Sequence, residues 1–132
     1  VNRTWLRGLR IAVATGLVGS AAIVLSPTAA SAAACRTGTS TISGARLQYQ
    51  ICPEAVTTGL SYFLEDTAKD GRRAEVWLRT PSTSSSGVKL DEATRGAGDW
   101  AEDEWYGPFS SGVSLKVCTS DANTDRRCGS WL

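Results

Sequence analysis

The chain contains no histidine and no methionine. Without imidazole, every mechanism that uses it as base, relay or metal ligand is closed, and with it the Ser-His-Asp and Cys-His constellations. Zinc would fall to the cysteines alone, and in an oxidising compartment those form disulfides instead. Lysine is scarce as well. Lys69, Lys89 and Lys116 stand at turn or surface positions, so none is placed to activate a serine. A long apolar run is missing too: the longest, at 11–25, is interrupted by Gly16 and Gly19 and falls short of the ~20 residues that a helix needs to span a bilayer. Charge of one sign is also lacking, with 14 Lys and Arg against 13 Asp and Glu and no basic cluster. That argues against nucleic acid and anionic lipid as partners.

The short apolar run has a meaning of its own. Arg3, Arg7 and Arg10 precede it and the small-residue stretch SPTAASAAA follows it, the three-part pattern of a secretory signal. We expect a signal peptide over 1–32, cleaved near 32–34, and a single secreted β domain over 33–132, without a stable membrane anchor. Cys35 follows three alanines, but a lipidation signal wants a large aliphatic residue three positions earlier, where Ala32 stands. No arginine pair precedes the apolar run, so a twin-arginine route is unsupported.

All 4 cysteines, Cys35, Cys52, Cys118 and Cys128, lie in the exported part, and an even count in a small secreted domain implies disulfides. Cys35 with Cys52 and Cys118 with Cys128 are favoured because each pair closes a short segment containing turn residues. Each such bridge contributes ~3 kcal/mol by loop-closure entropy. A bond between Cys52 and Cys118 would close a longer loop and stabilise more, so energetics alone leaves the pairing open.

From Gly38 on, short alternating runs are separated by Gly, Pro, Ser and Asp, the pattern of strands and turns. Leu47, Tyr49 and Ile51 alternate with polar neighbours, as do Val113, Leu115 and Val117. Residues 59–80 read as a hairpin closed by Lys69, Asp70 and Gly71, with Gly71 left-handed. This register sets Leu64 opposite Val76, Tyr62 opposite Leu78 and Phe63 opposite Trp77, at the cost of a like-charge pair between Glu65 and Glu75. Residues 80–87 read as a mobile polar connection, and one helical turn is possible near 91–94. The fold expected is all-β, a small antiparallel β-sandwich of roughly six to seven strands.

With those segments in view, the chain resembles short secreted actinobacterial proteins that carry a D-x-x-x-D-G hairpin and a V-x-V-C…D…C terminal strand pair. The matching residues here are Asp66, Asp70, Gly71, Val117, Cys118, Asp125 and Cys128. The resemblance covers about half of the exported part, and it implies secretion and a β fold but no activity.

Three groups of residues are candidates for function. Asp99, Glu102, Asp103 and Glu104 lie between or beside Trp100 and Trp105, and two converging acids beside a sugar platform would suit glycoside hydrolysis. A solvated acidic loop is the simpler reading. Asp121, Asn123 and Asp125 follow the opening of a calcium loop, but Arg126 stands where Gly is needed and Leu132 where a bidentate Glu is needed. No metal, cofactor or catalytic residue is therefore assigned. The aromatic residues Phe63, Trp77, Trp100, Trp105 and Tyr106 form the binding candidate, with Phe63 and Trp77 side by side. The expected function is a non-catalytic extracellular binding module, monomeric, for a glycan or a protein. A secreted inhibitor or toxin-like effector is the alternative.

Overall fold

A computed structural model describes residues 33–132, and the expected signal segment lies outside the described residues. Eight strands follow in order: β1 Arg36–Ile42, β2 Ala45–Pro53, β3 Thr58–Asp66, β4 Arg73–Arg79, β5 Val88–Ala93, β6 Trp100–Gly107, β7 Ser114–Asp121 and β8 Thr124–Cys128. They form two antiparallel sheets of four strands, ordered β1-β2-β3-β6 and β5-β4-β7-β8. The count exceeds the expected six or seven because strands without apolar alternation are present. β8 is exposed along its whole length, and β5 occupies the stretch where a helical turn was considered.

Alternation explains the sheets directly. Leu47 and Ile51 on β2, Leu60, Tyr62 and Leu64 on β3, Val76 and Leu78 on β4, and Leu115 and Val117 on β7 are all buried and belong to one apolar cluster. Each sheet therefore turns one face toward that shared core and leaves the other face outward. A polar tie joins the two sheets as well: the Tyr62 hydroxyl on β3 donates to Asp91 Oδ2 on β5 at 2.9 Å. Burial, then the Asp91 carboxylate, raises that hydroxyl well above the usual tyrosine range.

The hairpin expected over 59–80 does not exist. β3 pairs with β2 and β6, whereas β4 pairs with β5 and β7, so the two strands belong to different sheets. Their apolar sides meet across the core rather than side by side, which satisfies the same alternation. The like-charge conflict dissolves: Glu65 pairs with Arg46, and Glu75 with Arg126. The connection at 67–72 is an arch built from two aspartate turns. Asp66 Oδ1 accepts from the Ala68 amide at 3.1 Å and Asp70 Oδ1 from the Arg72 amide at 2.9 Å. Gly71 is left-handed, as expected, at φ 73°.

Both favoured disulfides are present, Cys35–Cys52 and Cys118–Cys128, and no cysteine among the described residues is free. Cys52 and Cys118 are each bonded to another cysteine, so the alternative bridge between them is absent. Two disulfides fit an extracellular location, and among the described residues no helix is long and apolar enough to cross a membrane. Residues 80–87, read as a mobile connection without buried residues, begin with a buried Thr80. Its amide donates to Thr83 Oγ1 at 2.9 Å, and its hydroxyl accepts from the Ser82 amide at 3.3 Å.

Candidate functional site

The outward face of the β1-β2-β3-β6 sheet is built by strand parity. On the edge strand β6, Trp100, Glu102, Glu104 and Tyr106 share this face, opposite Glu65, Phe63, Ser61 and Gly59 of β3. Phe63 and Trp100 stack with ring centroids 5.8 Å apart and planes at 22°, an offset arrangement that aromatic quadrupoles favour. Tyr106 lies flat on the backbone of Gly59, where an added Cβ would sit 2.9 Å from its ring. Glycine at that position is what lets the ring settle. Trp100 and Tyr106 nonetheless remain 51% and 72% exposed, an unusual degree of openness for large aromatics.

Beside these rings the sheet is polar. Thr39, Gln48 and Phe63 form one cross-strand row and Thr37, Gln50 and Ser61 the next. Together they line an open depression of about 460 Å3. A second one, of about 260 Å3, lies between Gln50, Ser61, Glu104 and Tyr106. The Tyr106 hydroxyl donates to Glu104 Oε2 at 3.3 Å, and that carboxylate raises its pKa through charge and then hydrogen bonding.

The outward face of the β5-β4-β7-β8 sheet is of another kind. Trp77 is here, in a different sheet from Phe63, so the expected pair does not form. The Trp77 ring has Arg126 Cζ 4.4 Å from its centroid and Lys116 Nζ 5.6 Å away. Lys116 also lies 4.3 Å from the Trp131 ring, with Arg79 Cζ 4.6 Å from that same ring. The result is a ladder in which cations and indoles alternate. Beneath it Glu75 is wholly buried. Trp77 Nε1 donates to its Oε2 at 2.8 Å, Arg126 Nε to the same oxygen at 2.7 Å, and Ser120 Oγ to its Oε1 at 2.5 Å. Burial alone would push this carboxyl up, but the hydrogen bonds from Arg126, Ser120 and Trp77 outweigh it and hold the pKa below the ordinary value. Lys116 is held below the usual lysine range, first by partial burial and then by the charges of Arg126 and Arg79.

The remaining candidates separate. Trp105 points to the opposite side of β6 from Trp100, packs against the core, and presses on the backbone of Gly107, so it is no part of the open face. The acids diverge: Glu102 and Glu104 face outward, Asp103 faces the other way, and Asp99 is a turn former. Asp99 accepts from the Thr94 and Arg95 amides, each at 2.9 Å, and the Arg95 hydrogen bonds hold its carboxyl below the ordinary range. In the proposed calcium segment, Ala122 and Asn123 form a two-residue hairpin turn at φ 44° and 72°, both left-handed as the primed turn requires. Asn123 Oδ1 accepts from Lys89 at 2.7 Å, and Asp125 Oδ2 from Arg72 at 2.9 Å and Arg127 at 3.0 Å. These oxygens face cations rather than one point in space. Among the described residues no group of three or more His, Cys, Asp or Glu could hold a metal ion.

The polar row of Thr37, Thr39, Gln48, Gln50 and Ser61 went unrecognised in the sequence, as did the roles of Arg79, Lys116 and Trp131. A signal for the first face existed: in WAEDEWY, reading a strand puts Trp100, Glu102, Glu104 and Tyr106 on one side. What fold and site define is a small disulfide-bonded all-β protein with one open aromatic face and one cationic face. Comparison of the chain with protein-family models, curated proteins and solved structures returns no match.

Proposed function

We propose that this is a secreted β-sandwich that binds glycans without catalysis, and that its binding surface is the outward face of β1-β2-β3-β6. The observation that carries this reading is the exposure of Trp100 and Tyr106 on one face of β6, beside a row of amide and hydroxyl side chains. Six positions apart on one strand, the two rings are separated by roughly 20 Å of sheet, a span suited to an oligosaccharide chain. Aromatic faces cover the apolar side of a sugar ring, while Gln48, Gln50, Thr37, Thr39 and Ser61 offer both donors and acceptors to its hydroxyls. A protein partner would want an apolar patch at the centre of its interface. Here the centre is polar and the rings lie along one edge.

The acids of this face support binding over hydrolysis, since Glu102 and Glu104 are open to solvent. A raised acid beside an ionised one needs an enclosed site. The likeness to secreted actinobacterial proteins agrees with export, but it adds nothing about the ligand.

A depletion assay tests this. The secreted chain is incubated with insoluble wall and plant polysaccharides, and the unbound fraction is measured. Retention on at least one neutral polysaccharide is expected, with at least tenfold weaker retention for Trp100→Ala combined with Tyr106→Ala. Equal retention of that double variant would refute the assignment of the face.

A further inference from the structure

The cationic ladder invites a second question, because its charges outnumber the carboxylates available to neutralise them. Arg126 is paired with Glu75, and Lys89 and Arg73 share Glu92. Among the described residues neither Arg79 nor Lys116 has an acidic partner. Lys116 makes one hydrogen bond, to the Ser86 carbonyl at 3.3 Å. Both cations lie against the same indole, that of Trp131, at 4.3 and 4.6 Å from its centroid. The chain thus holds an ammonium and a guanidinium fork close together on a sheet face without a counter-charge.

We propose that Arg79 and Lys116, positioned by Trp131, form a second binding site that takes an acidic polysaccharide through its carboxylate groups. A guanidinium lying over a ring keeps its in-plane N–H edge free for bidentate contact with a carboxylate, and Lys116 supplies a point charge beside it. Trp131 is set there by the backbone: the Leu132 amide donates to the Leu115 carbonyl and the Gly129 amide to the Val117 carbonyl, so the terminal segment runs along β7. Other anionic partners fit less well. Single-stranded nucleic acid needs open rings on which bases stack, and both indoles here are covered by cations. A membrane or a protein partner would want exposed apolar side chains, yet the exposed large apolar residues among the described residues, Val56, Val88, Trp100 and Tyr106, lie off this face. What remains is a polar, charged chain.

This site is independent of the open aromatic face, and its test keeps the two apart. Affinity electrophoresis of the full chain through gels containing polygalacturonate, and separately through gels containing a neutral cellulose derivative, is the experiment. Polygalacturonate is expected to retard the wild type, roughly tenfold less at ~500 mM than at ~50 mM salt. Arg79→Gln with Lys116→Gln should abolish that retardation, and Lys116→Arg should keep it. Trp100→Ala with Tyr106→Ala should leave it unchanged while removing any retardation in the neutral gel. If the double glutamine variant melts early, Arg79→Gln alone, which touches only the edge of the ladder, must still weaken binding several-fold. No retardation of the wild type, retardation indifferent to these substitutions, or tighter binding to duplex DNA, anionic vesicles or an acidic peptide than to polygalacturonate would overturn the proposal.

Discussion

The two outward faces of this protein carry comparable numbers of aromatic residues and use them in opposite ways. On β1-β2-β3-β6 the rings of Trp100 and Tyr106 are open to solvent, with no cation over them and a polar floor beside them. On β5-β4-β7-β8 the rings of Trp77 and Trp131 are covered by Arg126, Lys116 and Arg79, and Trp77 is also tied by its N–H to a buried carboxylate. An aromatic residue whose face and N–H are already engaged contributes to folding. One whose face is open contributes little to folding and is free to contribute to recognition. That distinction lies in the partners of each ring, not in the type of residue.

The sharpest break in the comparison should come at Glu75. Removing its carboxylate strands the Ser120 hydroxyl and the Trp77 N–H and leaves a void, so Glu75→Ala should lower stability by about 3 kcal/mol in urea unfolding. Next comes the direct contrast. Trp77→Ala should cost about 2 to 3 kcal/mol, somewhat less than a fully buried tryptophan, whereas Trp100→Ala and Tyr106→Ala, which give up only the Phe63 stack and the packing on Gly59, should each cost about 1 kcal/mol or less. Similar losses at Trp77 and Trp100 would erase the difference between the faces.

Acid should separate the buried carboxyls by sign. Glu75 has a folded-state pKa below its ordinary value of ~4.3, so its contribution is present above that value and is lost as pH falls through the lower folded value. The stability gap between the wild type and Glu75→Gln should therefore be widest near neutrality and close below about pH 4. Asp66 behaves in reverse. Burial, with its Oδ2 unpartnered, raises its pKa, so it favours the folded state more as pH falls from neutrality through that raised value. Asp66→Asn should lack this gain, read as a flatter melting temperature between about pH 7 and pH 4. The smallest effect concerns the β7–β8 turn, where Ala122 stands at φ 44°. Ala122→Gly should raise stability by about 0.5 kcal/mol, the left-handed strain relieved being partly offset by the entropy of glycine.

How far the sequence disclosed this molecule depends on the range of each interaction. Alternation along Leu47, Tyr49 and Ile51, and along Leu115 and Val117, marks strands because period two is a local property. The disulfides followed from short spacing, and Gly71 from turn chemistry. The partner of a strand is not local. The apolar sides of β3 and β4 had to meet, but alternation is satisfied equally by neighbours in one sheet and by strands facing each other across a core. From the sequence β6 reads as an acidic loop because Asp and Glu are sparse in strands, yet an edge strand gains from charge that discourages pairing with other chains. The cationic ladder was unreadable for a different reason. Arg79, Lys116, Arg126 and Trp131 are distant in sequence, and only the pairing of β4, β7 and β8 gathers them.

Hydroxyl-radical footprinting read residue by residue, with and without a polysaccharide that retains the protein, bears on the central claim most directly. The free protein should be modified readily at Trp100 and Tyr106 and slowly at Trp77 and Trp131, and a neutral polysaccharide should protect the first pair while leaving the second unchanged. Fast modification of Trp77 in the free protein, or no protection of Trp100 and Tyr106 by the bound polymer, would contradict it.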